Sequence, residues 1–222
     1  MATPALHDLK LVGTTSSAGG QYGTIKITGE CSMSSDVTAE SLACVGEIDI
    51  RGALRVKRLK LTGECAVSGH LEAERIRGVG MIGVSSIRAG DVKLSGHISV
   101  AHNCEAESLH LLGLLEAGDL VSAEHLHLRL YGLCRVRELG GGTIDVKRSR
   151  LLRLKNLLST GDAGTLTAEL IEGDTVHLEH VTADLVRGGK VTIGIGCRIG
   201  RVEYRESLER HGKAEIGSES RV

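Results

Sequence analysis

The chain has 222 residues and a formal net charge of −1, long enough for one large domain or two small ones and without the basic excess expected of a nucleic-acid binder. It is 41% apolar yet has no Phe, no Trp and three Tyr. Its core must therefore be built from Val, Ile, Leu, Ala and Cys, which suits a narrow, regular interior better than the wide, irregular one that aromatic rings fill.

Residues 1–8, "MATPALHD", lack the basic end and apolar stretch of an export signal and read as an N-terminal tail. No apolar run approaches the roughly 20 residues of a membrane-spanning helix, so a cytoplasmic location is expected. The only Pro is Pro4, which leaves the rest of the backbone free to join hydrogen-bonded ladders. From Leu9 the repeat begins: "LKLVG" imitates the start of a unit that recurs from Thr24 onward. In rows of 17 the chain reads TIKITGECSMSSDVTAE, SLACVGEIDIRGALRVK, RLKLTGECAVSGHLEAE, RIRGVGMIGVSSIRAG (one residue short), DVKLSGHISVAHNCEAE, SLHLLGLLEAGDLVSAE and HLHLRLYGLCRVRELGG.

The columns of this array carry the fold. Column 2 holds Ile25, Leu42, Leu59, Ile76, Val92, Leu109 and Leu126, and column 6 holds Gly29, Gly46, Gly63, Gly80, Gly96 and Gly113. Columns 4, 8, 10, 14 and 16 are also apolar or small. Apolar residues alternate at period 2, which marks strands with one buried face and excludes the i, i+3, i+4 pattern of a helix. Seventeen residues accommodate three short strands and three corners, one turn of a parallel β-helix in which each strand pairs with its equivalent about 4.8 Å away. The glycine column falls where a corner or close backbone approach leaves no room for a Cβ. About ten such turns are expected.

Beyond Cys134 the register weakens. An irregular insertion is expected near residues 140–164, including the basic and leucine-rich stretch Arg148–Leu158. That stretch reads as an irregular coil edge with leucines turned inward, the alternative being a membrane or partner contact. Alternation resumes in "LTAELIEGDTVHLEHVTADLVRGGKVTIGIGCRIGRVEY". The β-helix is thus expected over 9–205, and the polar residues 206–222 as a disordered tail.

Candidate functional residues lie on outward columns. Column 3 carries Lys26, Ala43, Lys60, Arg77, Lys93, His110 and His127, a largely basic stripe of which Lys60, Arg77 and Lys93 are candidate contacts for an acidic surface. Acidic columns offset it, with Glu30, Glu47 and Glu64 in column 7 and Glu40, Glu74, Glu107 and Glu124 in column 17. Leu112 and Leu114 break the polar outer pattern and, with Leu130, form either an exposed apolar contact patch or a bend that buries them. His110 and His127 fall one turn apart, with His125 on the same side; His177 and His180 read as surface strand residues. The six cysteines have no CxxC and no tight metal spacing, so they read as buried hydrophobes. Cys31 and Cys65 are expected on one inward ladder two turns apart, too far for a disulfide. No catalytic residue, metal site or cofactor is expected, no nucleotide loop of the G-x-x-x-x-G-K-[ST] type occurs, and no nucleic-acid partner or small-molecule substrate is expected. "IGIGCRIG" (Ile193–Gly200) resembles a hexapeptide unit of acyltransferase β-helices, but the main period is 17 and one stretch alone fits.

Three features together, the x-[ILV]-x-[ILV]-x-G rows, "GGQYGTIKITGE" (Gly19–Glu30) and Leu170–Tyr204, resemble the bactofilins, bacterial polymer-forming cytoskeletal proteins, and especially their longer Gram-positive forms. The resemblance spans residues 9–205. It implies a right-handed parallel β-helix, a non-enzymatic and nucleotide-independent role, and end-to-end self-association with itself or a paralogous bactofilin. It further implies scaffolding in cell shape or motility, with membrane or flagellar-assembly partners. The chain lacks the Pro-rich tails of many bactofilins. The alternatives are a non-polymerising β-helical binding module in a hetero-oligomer and a hexapeptide-type acyltransferase.

Overall fold

A computed structural model describes residues 6–149 and 164–222. It is all-β and parallel, a β-solenoid of about 12 turns with about 17 residues per turn. The chain divides into two compact units, Met1–Ala101 and His102–Val222.

The first unit holds β1 (Leu9–Ser17), β2 (Gly20–Met33), β3 (Val37–Ile50) and β4 (Leu54–Val100). Extended backbone continues through all 47 residues of β4, winding over more than one turn without a break. Its register is that of the rows: Ile25 faces Leu42 and Leu42 faces Leu59, while Gly29 faces Gly46 and Gly46 faces Gly63. Leu9 faces Ile25 and Gly13 faces Gly29, so "LKLVG" is the first partial turn. Columns 2, 8, 10 and 14 are buried throughout this unit. Ile25, Leu42, Leu59, Ile76 and Val92 are each at most 1% exposed, which places the central expectation of the sequence inside the column. At this density of aliphatic packing, truncating one such side chain costs about 2–5 kcal/mol.

The glycine column turns one corner of each rung. Gly46 and Gly63 have φ near +124° and +127°, a region that side chains disfavour. A Cβ on Gly63 would stand 2.0 Å from the carbonyl oxygen of Gly46. Both the backbone angle and the distance to the rung below therefore require glycine.

The second unit holds β5 (Cys104–Leu130), β6 (Leu133–Arg148), β7 (Thr165–Leu178), β8 (Val181–Ile193), β9 (Arg198–Arg210) and β10 (Glu215–Arg221). All pair in parallel in chain order. Two sequence expectations need correction here. Residues 140–148 belong to regular strand β6, with Ile144 and Val146 buried, so the expected irregular segment does not begin at residue 140. Residues 150–163, and with them most of the Arg148–Leu158 stretch, lie outside the described residues. Arg148 itself donates to the Gly164 carbonyl at 3.3 Å.

Residues 206–222 do not form a disordered tail. The chain stays in β9 to Arg210 and returns as β10, with Glu215 facing Arg198 and Ile216 facing Ile199. Parallel pairing is made by backbone groups, so a preceding rung can hold a polar segment whose alternation is weak. Ala214 is buried against this last rung and Ile216 is half-buried.

Strand breaks fall at two corners of the rung. Those at 131–132, 179–180, 194–197 and 211–214 lie between columns 4 and 8, and those at 34–36, 51–53 and 101–103 between columns 10 and 14. Side chains complete the missing bonds there. Asp36 Oδ1 accepts from the Ala53 amide at 2.8 Å, and Asn103 Oδ1 from the Leu120 amide at 3.2 Å.

Candidate interaction surfaces

Because inward columns are filled with aliphatic side chains, any function must be carried by outward columns, corners or chain edges. The cysteines illustrate the point. All six are free and buried, and Cys31 and Cys65 share one ladder with Ile48 between them. Burial pushes the thiols of Cys65 and Cys104 up to about 12. They are packing groups and not thiolate nucleophiles.

The basic stripe forms as a ladder in the first unit. Lys10 faces Lys26, Lys26 faces Ala43 and Ala43 faces Lys60. Lys60 and Lys93 are exposed, whereas half-buried Arg77 is tied to Asp91. Across the glycine corner runs the acidic ladder: Thr14 faces Glu30, Glu30 faces Glu47 and Glu47 faces Glu64. This ladder lines a shallow groove of about 280 Å³ with Asp49 and Ser32. Among the described residues no ion pair joins Lys26, Lys60 or Lys93 to Glu30, Glu47 or Glu64. Like charges about 5 Å apart repel by roughly 1 kcal/mol even in water. Glu30, Glu47 and Glu64 thus form an unrelieved acidic line, and the basic ladder keeps unrelieved charge at Lys26, Lys60 and Lys93, interrupted by Ala43 and by the neutralised Arg77.

Between the two ladders lies a column that the sequence reading passed over. Val12 faces Thr28, Thr28 faces Val45 and Val45 faces Thr62. Val12, Val45 and Val79 are 66%, 54% and 60% exposed. The signal was present, since column 5 of the rows alternates Thr28, Val45, Thr62, Val79 and Ser95, an outward position where valine has no core to enter. The other outward face of this unit neutralises itself: Arg55 pairs with Glu72 at 3.2 Å and Lys57 with Glu40 at 2.7 Å.

In the second unit Leu112 is 37% exposed. Leu114 is half-buried, and its Cδ2 lies 2.5 Å from where a Cβ on Gly132 would stand. Leu130 is buried, so of the two readings the burying bend holds for it, while Leu112 stays exposed. The alternation of Leu126, Leu128 and Leu130 continues inward, because this row turns at Tyr131–Gly132 and not at a column-6 glycine. His110 and His127 stack, with ring centroids 4.6 Å apart and planes inclined by 13°. Ring lone pairs lie in the ring planes, so this stack does not converge on an ion. His127 also approaches Asp145 at 3.6 Å. Burial raises the Asp145 carboxyl, but Arg129 at 2.6 Å and Lys147 at 3.1 Å outweigh it and hold it below the usual range. His177 lies on β7, as expected, and approaches Glu179 at 3.6 Å. His180 is not a strand residue: it sits at the broken corner with φ +57°.

A second groove, about 430 Å³, lies over Gly141, Gly173 and Gly188, with Leu120, Leu139 and Leu170 along it. Gly141 faces Gly173 and Gly173 faces Gly188, a small-residue ladder replacing the alanines of column 16. Its charged rim satisfies itself. Arg187 pairs with Glu203 at 2.8 Å and Glu172 at 3.2 Å, and Arg205 with Asp174 at 3.1 Å. Hydrogen bonding to Arg187 holds the Glu203 carboxyl below its ordinary value.

The described residues contain no helix long and apolar enough to cross a membrane. Comparison with known proteins gives two uncharacterised relatives, both from Bacillus subtilis (strain 168). YhbF is 35% identical over 111 residues, covering 50% of this chain and 42% of that protein. YhbE is 40% identical over 87 residues, covering 38% of this chain and 35% of that protein. The chain thus spans less than half the length of either relative. No family model and no solved structure matches it.

Proposed function

We propose that this protein is a self-assembling, non-enzymatic scaffold of the bacterial cytoplasm, bactofilin-like, whose copies join end to end. The observation that carries this reading is the state of the two terminal strands. Among the described residues, each of β1 and β10 has a pairing partner on one side alone. Their inward side chains stay half-exposed: Leu9 and Leu11 continue the columns of Ile25 and Ile27, and Ile216 continues that of Ile199. An unpaired edge with apolar inward residues templates another strand unless charge, proline or a cap prevents it. Service in cell shape or flagellar assembly, and contact with a membrane, belong to the same proposal and rest on the sequence resemblance.

Electron microscopy of the purified chain tests the reading. Elongated particles are expected, and they should vanish in T15K/I216K, which places a charge at an inward position of each terminal rung. Particles of one short length at every concentration would refute it.

A further inference from the structure

The strongest unassigned feature is the corner region of the first unit, where three ladders run side by side. Viewed from outside, the order is basic (Lys26, Lys60, Lys93), then apolar and hydroxyl (Val45, Thr62, Val79), then the glycine corner, then acidic (Glu30, Glu47, Glu64). Val45 and Val79 are more than half exposed, and among the described residues no ion pair neutralises Lys26, Lys60, Lys93, Glu30, Glu47 or Glu64, although Arg77 of the basic ladder is paired with Asp91. We propose that this face binds a second copy of the same chain, side by side and pointing in the same direction.

The direction follows from the charges. When two copies of such a face meet in parallel, the basic margin of each lies against the acidic margin of the other. If one copy is reversed, basic meets basic and acidic meets acidic. A two-fold axis along the stacking direction makes the contact isologous and keeps equal rungs at equal height. Val45 then meets Val45 of the second copy, and Val79 meets Val79. Lys26 stands opposite Glu30 and Lys60 opposite Glu64, two rungs apart, the common rung spacing bringing both contacts into register at once, while Glu47 stands opposite Ala43. Apolar contact at the centre with charge at the rim is the usual anatomy of a protein interface. Opposed ladders relieve the repulsion that each carries alone, and they set orientation more than affinity.

This pairing is separate from end-to-end growth, and the test keeps them apart. In full-length T15K/I216K, whose ends are blocked, sedimentation equilibrium should still show a dimer. In that background, K26E/K60E and E30K/E64K should each weaken dimerisation at least about tenfold. Mixing the two variants should restore a heterodimer to within about threefold of the parent, because every cross-contact is then again of opposite sign. Restoration by mixing shows both variants folded. The proposal is overturned if the end-blocked protein is monomeric, if neither charge reversal weakens the dimer, or if mixing fails to restore it. It is equally overturned if K26E/K60E pairs with the unreversed chain more tightly than that chain pairs with itself, the signature of opposite direction. End-to-end growth is read independently, from particle length in the chain with unblocked ends.

Discussion

The two units are built from the same rung but dispose of their charges in different ways. In the first, strand β2 meets β3, and β3 meets β4, at a constant step of seventeen residues. A constant step stacks like on like, so Glu30, Glu47 and Glu64 line up in column 7 and Lys26 and Lys60 fall in column 3 on either side of Ala43, with no ion pair joining the two columns. In the second unit the step changes at each interface: Leu126 faces Ile144, Ile144 faces Val176 and Val176 faces Val191, steps of 18, 32 and 15 residues. Changing the step shuffles the columns. Column 3 becomes His127, Asp145, His177 and Thr192, and arginines find carboxylates nearby, as Arg187 finds Glu172 and Glu203. Strict repetition therefore leaves Lys26, Lys60, Glu30, Glu47 and Glu64 without ion pairs on one side of the rung, although Arg55 and Lys57 pair on another, and broken repetition brings opposite charges together.

The sharpest way to break this contrast is at the glycine corner. Gly80→Ala places a Cβ 1.8 Å from the Gly63 carbonyl oxygen at φ +139°, and should destabilise the first unit by about 3 kcal/mol or more in denaturant titration. Gly83→Ala, with nothing within 4 Å of its Cβ, should change it by less than about 0.5 kcal/mol. Next in size is Leu59→Ala, expected to cost about 2–5 kcal/mol by the same titration. Alkaline pH should act on both units alike. The folded thiols of Cys65 and Cys104 titrate at about 12, raised by burial from 9.0. Their contribution to stability is thus complete below pH 9 and is lost as pH rises through 12; thermal melting should fall across that window, and native thiols should resist alkylation at pH 8. The smallest effect belongs to the self-neutralised face. Arg55→Ala, which breaks the exposed pair with Glu72, should shift stability by less than about 0.5 kcal/mol. A loss as large as that of Leu59→Ala would mean that outer pairs, and not the column interior, hold the rungs together.

Most of the fold was legible because the interior is one-dimensional. A period of seventeen with alternation at two fixes which residues face inward, and the buried columns of Ile25 and Cys31 follow it without exception through the first unit. Legibility failed where the backbone alone decides. Strand β10 is polar and weakly patterned, yet the rung before it offers free N–H and C=O groups that hold it in register. The insertion was placed too broadly for a related reason: strand β6 keeps its inward residues Ile144 and Val146, but a changed step hides them from a seventeen-residue grid. Of the candidate site, Lys60 and Lys93 stood where column 3 put them. Arg77 had a partner in Asp91 that the rows align poorly, because its row is one residue short. The valine column is legible in column 5 of the rows, where Val45 and Val79 alternate with Thr28 and Thr62 at an outward position.

End-to-end growth would run through the terminal strands as binding edges. Hydrogen exchange of the full chain, followed from dilute to concentrated solution, addresses them directly. Amides within Leu9–Ser17 and Glu215–Arg221 should exchange quickly when dilute and become protected as concentration rises, while β3 amides remain protected throughout. Equal rates in the terminal strands at all concentrations would contradict the account.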